Sequence, residues 1–329
     1  MVVIISHVFA PSNTAMTHNP ETITEPTLHS VTCPELPKPG PDGQPLTQSH
    51  RMAYWQWGDA QAPHVVVCVH GLSRQGRDFD VLARAIVQSQ ANVRVVCPDV
   101  VGRGQSEWLS DPMGYQVPNY AMDMVTLLHH LQPQSLDWVG TSMGGLIGTV
   151  VASQVGEGAV MPLPVPVRKL VLNDVGPVIQ FEALQRIGTY LGLPARFTSV
   201  EQGAQALWMI SQSFGPHTPA QWLELSQHML KQDQDAWVLH YDPAIAVPFR
   251  TVTPETAAAG EAMLWQLYDR IQAQTLLVRG AQSDLLSSAT AQAMTQRGPR
   301  AKLVEFEGVG HAPTFIADDQ VQAVLDFLF

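Results

Sequence analysis

The chain has 329 residues, 45% hydrophobic and 14% charged, with a formal net charge of −11. That is ample apolar material for a large buried core, and the negative balance argues against nucleic acid or an anionic membrane surface as a partner. Its three cysteines cannot build a disulfide framework; Cys68 and Cys97 sit in apolar runs, where inert buried thiols fit a reducing, cytoplasmic setting. No run reaches the roughly 18 to 20 apolar residues of a membrane span. The opening MVVIISHVFA is apolar but lacks a basic start and is short for a signal peptide.

In chain order, residues 1–26 mix Pro, Thr, Asn and Ser without periodicity and predict a disordered extension. The stretch PKPGPDGQP, 37–45, is turn chemistry between two antiparallel strands near 28–33 and 50–57. Strand and helix patterns then alternate. Short β-branched runs at 65–69, 93–97, 136–140, 169–172, 275–279 and 302–306 each lead into a loop bearing Gly, Asp or Ser, as buried parallel strands do. Between the fourth and fifth of these lie about 100 residues of another character. Amphipathic helices are predicted there over 179–191, 200–214 and 219–231, with an irregular segment at 240–248 and no strand. A last helix over 318–329 puts Val321, Val324, Leu325 and Leu328 on one face. The predicted plan is an α/β core, 27–177 and 261–329, with a helical cap, 178–260, covering the carboxyl ends of the strands.

The most informative segment is LDWVGTSMGGLIGTVVA, residues 136–152. A strand, a tight turn and a helix follow one another with Ser142 at the apex, and Gly140 and Gly144 stand where a Cβ would crowd the neighbouring backbone. A serine hydroxyl is a weak nucleophile that needs a base, and the base needs an orienting acid. Downstream, the loop GAQSDLL offers Asp284 and the loop EGVGHAPTF offers His311, both just past the carboxyl end of a predicted strand. Asp284 is taken as the acid. Asp174, in LVLNDVGP one strand earlier, is the alternative and reads as a loop-capping carboxylate. The loop His70-Gly71-Leu72-Ser73 follows the strand at 65–69, so the backbone N–H groups of Leu72 and Met143 are the candidate oxyanion donors. His70 itself reads as structural, and so does the turn holding Asp99 and Arg103.

The HG loop, PDVVGRGQS at 98–106, the GTSMGG elbow, the late SD and the terminal GVGH together resemble the α/β-hydrolase superfamily, closest to its capped bacterial serine esterase and lactonase branch. The resemblance covers most of the chain from about residue 50. It implies a mostly parallel eight-stranded sheet, a helical cap inserted after the sixth strand, and hydrolysis without cofactor or metal. Several departures narrow it. A serine nucleophile argues against epoxide hydrolases and haloalkane dehalogenases; Ala312 after His311 departs from the carbon–carbon bond hydrolases; Leu72 replaces the aromatic residue of the haloperoxidase relatives. Some superfamily members keep their acid where Asp174 stands.

The expected activity is cleavage of a small-molecule carboxylic ester. Lactone, thioester or carbon–carbon bond hydrolysis on the same fold, and a non-catalytic ligand sensor, stay open. Ser73, Arg74, Arg77, Trp208 and Tyr241 are the candidate substrate contacts. The plainer reading of the two arginines is a surface ion pair, and of Trp208, Met209, Trp222, Met229 and Trp237 helix packing, with those on the cap's lower face also able to line an apolar pocket.

Overall fold

The computed structural model describes residues 25–35, 38–39, 45–46 and 48–329; residues 1–24, most of the expected N-terminal extension, lie outside the described residues. The strands are β1 (Thr27–Pro34), the two-residue β2 (Lys38–Pro39) and β3 (Pro45–Leu46), β4 (Ser49–Trp57), β5 (His64–Val69) and β6 (Val93–Pro98), with helix α1 (Asp80–Ser89) between the last two. Next come α2 (Val117–Leu131), β7 (Ser135–Thr141), α3 (Met143–Ala152) and β8 (Val167–Asn173). After an insertion the core resumes with β12 (Gln274–Gly280), α8 (Ser288–Met294), β13 (Lys302–Phe306) and α9 (Asp318–Leu328), its elements numbered to follow those of the insertion. The insertion holds α4 (Phe181–Tyr190), β9 (Arg196–Phe197), α5 (Val200–Ser211), α6 (Pro219–Gln227), β10 (Leu230–Asp233), β11 (Ala236–Leu239) and α7 (Pro254–Arg270).

Eight strands form one sheet in the order β1-β4-β6-β5-β7-β8-β12-β13. Only β4 runs antiparallel to its neighbours, β1 and β6. The period-two rule decides the layers. In β5, Val65, Val67 and Val69 face one core with Met124 and Leu128 of α2 and Ile147 of α3. Val66 and Cys68 face the other, with Leu82 and Ile86 of α1 and Val324 and Leu328 of α9. A strand buried on both faces must be apolar along its buried positions, which is why β5 runs VVVCV after the half-buried His64. The chain leaves β5 on one side for β6 and returns on the other for β7, so a switch point opens above β5. The loops after β5, β6, β7, β8, β12 and β13 all emerge at that carboxyl edge.

The insertion after the sixth strand of the large sheet has its own small core of Ala204, Leu207, Trp222, Leu225 and Met229. Three of its helices, α5, α6 and α7, start on side-chain caps. The Ser199 hydroxyl accepts from Gln202 N–H, and Thr218 with Gln221 forms a capping box ahead of Pro219. Contrary to the all-helical expectation, β10, β11 and β9 form a three-stranded antiparallel sheet, and β10 claims the last residues expected for the 219–231 helix. The expected core boundary at residue 261 falls inside α7.

Candidate active site

The site is built on the elbow between β7 and α3. Ser142 sits at φ 53°, ψ −117°, a conformation that costs a residue with a Cβ. Glycines on either side make the turn possible. A Cβ on Gly144 would collide with the Val69 carbonyl of β5, and one on Gly140 would meet the backbone of Gly144 and Gly145. Ser142 N–H donates to the Asn173 carbonyl at 2.9 Å, which ties the elbow to the end of β8.

His311, in the loop after β13, lies 3.0 Å through Nε2 from Ser142 Oγ and 2.7 Å through Nδ1 from Asp174 Oδ2. The carboxylate at its back is therefore Asp174 and not Asp284, a correction to the sequence expectation. Asp174 is fully buried, and its Oδ1 also accepts from Gly280 N–H at 3.0 Å. Ser283 Oγ donates to its Oδ2 at 2.6 Å. The SD dipeptide after β12 thus contributes to the site through its serine. Asp284 points outward instead and pairs with Arg186 of α4 at 2.7 Å, both side chains more than half exposed. The reason is reach. The loop carrying His311 folds back across β12 to β8, where Asn173 Nδ2 donates to the Pro313 carbonyl at 2.8 Å and pins it. With a buried carboxylate facing Nδ1, that nitrogen carries the proton and Nε2 is left to accept from Ser142. A hydroxyl, an imidazole and a buried carboxylate in series can draw the serine proton as the oxygen attacks.

Leu72 lies in the loop after β5, and Met143 opens α3, where the first N–H groups have no intrahelical acceptor. His70 orients the Leu72 side. The Val100 N–H donates to its Nε2 at 2.9 Å, so the ring proton is on Nδ1 and is donated to the Gly71 carbonyl at 2.7 Å. That carbonyl shares a peptide plane with Leu72 N–H and points the opposite way, so the bond aims the Leu72 amide. Burial pushes the His70 pKa down to about 3, which keeps the ring neutral. Asp99 and Arg103 share a loop, but each has other partners. The Asp99 carboxylate accepts from Gly76 and Gln105 N–H, and burial raises its pKa to about 6.

A cavity of about 520 Å³ opens above Ser142. Leu72, Leu191, Leu207, Phe214 and Met229 give it apolar walls, and Ser73, Ser211, Ser213 and Thr314 give it scattered hydroxyls. Of the candidate contacts, Ser73 and Arg74 line it, though Arg74 is held by a two-point pair with Asp78. Arg77, Trp208 and Tyr241 do not line it. Arg77 pairs with Asp80 and stacks on Trp55. Trp208 packs edge-on against Trp222 inside the insertion, and Tyr241 is buried against the core. Among the described residues, the one group of Cys, His and carboxylate side chains close enough to hold a metal is Cys33, His50 and Asp123, and none of these lines the cavity.

A family model described as the alpha/beta hydrolase family matches residues 66–327. The chain belongs to the alpha/beta hydrolase family. In sequence, this hydrolase is 53% identical over 282 residues to the 3-hydroxybutyrate-oligomer hydrolase of Cupriavidus necator, an overlap covering 84% of this chain and 92% of the relative. With that relationship it is an ester-bond hydrolase. In structure it resembles an alpha/beta hydrolase from Novosphingobium aromaticivorans, with a TM-score of 0.74 at 31% identity over 92% of this chain and 98% of the other. It also resembles a putative hydrolase from Rickettsia typhi, with a TM-score of 0.78 at 25% identity over the same shares. Among the described residues no helix is long and apolar enough to cross a membrane.

Sequence reasoning favours Asp284 because the core strand after its loop leads straight to His311, which should set the two loops side by side, whereas Asp174 emerges one strand closer to Ser142. The φ of +55° at Asp174 marks a turn that aims its carboxylate across the sheet edge, and a sequence does not display that angle. Ser283 stands in the same GAQSDLL loop, and the signal that could single it out is its place directly before Asp284.

Proposed function

We propose that this hydrolase cleaves short oligoesters of hydroxy acids, of the 3-hydroxybutyrate kind, through a covalent acyl-enzyme. Ser142 is the nucleophile, His311 the proton carrier and Asp174 the carboxylate that fixes the imidazole. The observation that carries this reading is the single imidazole in hydrogen-bond reach of both Ser142 and a fully buried carboxylate. Ser142 Oγ attacks the ester carbonyl as its proton passes to His311 Nε2. The tetrahedral oxyanion takes hydrogen bonds from Leu72 and Met143 N–H. Collapse breaks the ester C–O bond, and His311 returns the proton to the departing alcohol. Water, deprotonated by His311, then attacks the acyl-enzyme and releases the acid and Ser142.

The substrate class follows from the similarity to the Cupriavidus necator enzyme and from the cavity. Its volume lies in the range of about 300–1,000 Å³ usual for small-molecule sites. Apolar walls interrupted by hydroxyls suit a chain in which methyl branches alternate with ester carbonyls. We assign residues 178–260 the role of a cap that sets how much chain the cavity admits, since Leu191, Leu207, Phe214 and Met229 all come from it.

The test is turnover of 3-hydroxybutyrate dimer, trimer and tetramer followed by chromatography, with fluorophosphonate labelling alongside. Wild type should release monomer and take up one label per chain, and folded Ser142→Ala should do neither. Labelling or turnover by that variant would remove Ser142 from the mechanism.

A further inference from the structure

We propose that Arg103 is a positioning residue of the oxyanion hole, a buried cation that locks the Leu72 and Met143 donors in place and whose charge favours the oxyanion. The inference rests on the reaction proposed above. Arg103 is fully buried, and among the described residues no carboxylate lies within 4.0 Å of its guanidinium. An isolated buried charge is costly unless it is paired, and arginines in such places ordinarily face Asp or Glu. The nearest side chain of that kind in its own loop, Asp99, is instead engaged by the Gly76 and Gln105 amides and the Trp55 indole.

What Arg103 does contact is informative. Its Nε donates to the Leu72 carbonyl at 2.9 Å, and Nη1 donates to the Val101 carbonyl at 2.7 Å and to the Tyr120 hydroxyl at 3.0 Å. Nη2 reaches Met143 Sδ at 3.7 Å. The ring faces of Tyr115 and Tyr120 cover the guanidinium, with centroids 5.7 and 5.0 Å away. The one fork therefore touches both residues whose amides form the oxyanion hole, one through its carbonyl and the other through its side chain. Its direct polar partners are neutral and satisfy the donors, and the buried carboxylate of Asp242 stands one residue further off, accepting from the Tyr115 hydroxyl, so no carboxylate pairs with the guanidinium directly. In a low-dielectric interior that charge acts over several ångströms on a negative charge forming at the carbonyl oxygen.

The same loop is clamped from the insertion side. Gly104 N–H donates to the His240 carbonyl at 3.0 Å, and Asp242 N–H donates to the Gly102 carbonyl at 2.7 Å. Arg103 thus stands on backbone held by the cap while it holds the oxyanion loop of the core.

The experiment compares Arg103→Met, which keeps stem volume and loses charge, with Arg103→Lys, which keeps charge and loses the fork. Each is measured for kcat, for KM and for affinity towards a trifluoromethyl ketone that forms a tetrahedral adduct with the serine. Removing one oxyanion donor outright costs about 10²- to 10³-fold in rate, so indirect loss should cost less. We expect kcat to fall about 30-fold in Arg103→Met and about 5-fold in Arg103→Lys, ketone affinity to fall in parallel, and KM to stay within about threefold. A brace serving only the fold would lower the melting temperature and leave kcat and ketone affinity of the folded protein unchanged, and that result overturns the proposal. If Arg103→Met does not fold, Arg103→Lys alone decides by the same criterion. Activity remaining in Ser142→Ala would instead overturn the serine reading, so the two failures are distinguishable.

Discussion

Two aspartates at one sheet edge differ in what surrounds them, and the difference sets their chemistry. Asp174 is sealed from water with three donors converging on it, while Asp284 shares a solvent-exposed pair with Arg186 of the kind usually worth about 0–1 kcal/mol. Asp174→Asn should therefore lower kcat by about 10⁴-fold, the size of effect seen when an imidazole loses its orienting acid, and Asp284→Asn by less than about threefold. Initial-rate kinetics on both folded variants check this, and the reverse ranking would return the acid to the β12 loop. His70 supplies a second residue-scale expectation. Its folded pKa is depressed to about 3 by burial, against about 6.5 in an unfolded chain. Its neutral form therefore contributes stability that is present above pH 6.5 and lost as pH falls toward 3. The slope is about 1.4 kcal/mol per pH unit. Urea melts of wild type and His70→Gln should show the variant's deficit shrinking by roughly 2–3 kcal/mol between pH 7 and pH 4.5. At this scale the sequence displayed Ser142 and His311 through glycine spacing and loop position. It did not display backbone angle, which is what chose between the acids.

The parallel strands were legible because each is a contiguous β-branched run, and the structure extends them by no more than two residues at either end. The small sheet of the insertion was not. Its strands span two to four residues, too short for alternation to register, and their hairpin turns through Gln234 at φ 55° with no Asn-Gly or Asp-Gly to announce it. Trp208 misleads for a related reason, since an aromatic residue of an insertion can serve its own packing as readily as a pocket, and Tyr241 packs into the main core instead. Leu207 on α5 does face the cavity. Leu207→Phe should shift the preferred oligomer down by one unit, with a change of about 10- to 100-fold in the trimer-to-dimer ratio of kcat/KM, within the span expected for a filled apolar pocket. An unchanged ratio would remove the cap from length selection.

The whole molecule carries a net charge of −11, and oligomers of a hydroxy acid end in a carboxylate. At the cavity mouth the guanidinium of Arg186 is already matched by Asp284, so it adds little attraction to offset the long-range field. Encounter with an anionic chain should be opposed at low ionic strength and eased as salt screens the field, with a Debye length falling from about 30 Å at 0.01 M to about 8 Å at 0.15 M. We expect kcat/KM for the free-acid trimer to rise about threefold over that interval, and kcat/KM for its methyl ester to stay level. Equal salt responses for the two would show that the field plays no part in encounter.

The contorted backbone at position 142 has a consequence for how this protein balances endurance against work. Glycine ordinarily weakens a fold relative to alanine by about 0.5–1 kcal/mol, because it has more freedom to lose. At φ 53°, ψ −117° the order should invert, because alanine keeps the offending Cβ and glycine does not. Ser142→Gly should melt above Ser142→Ala, by a margin of about 1–2 kcal/mol, and above the active protein itself. A sturdier molecule then lies one substitution away at this position, at the cost of the hydroxyl that the proposed reaction needs.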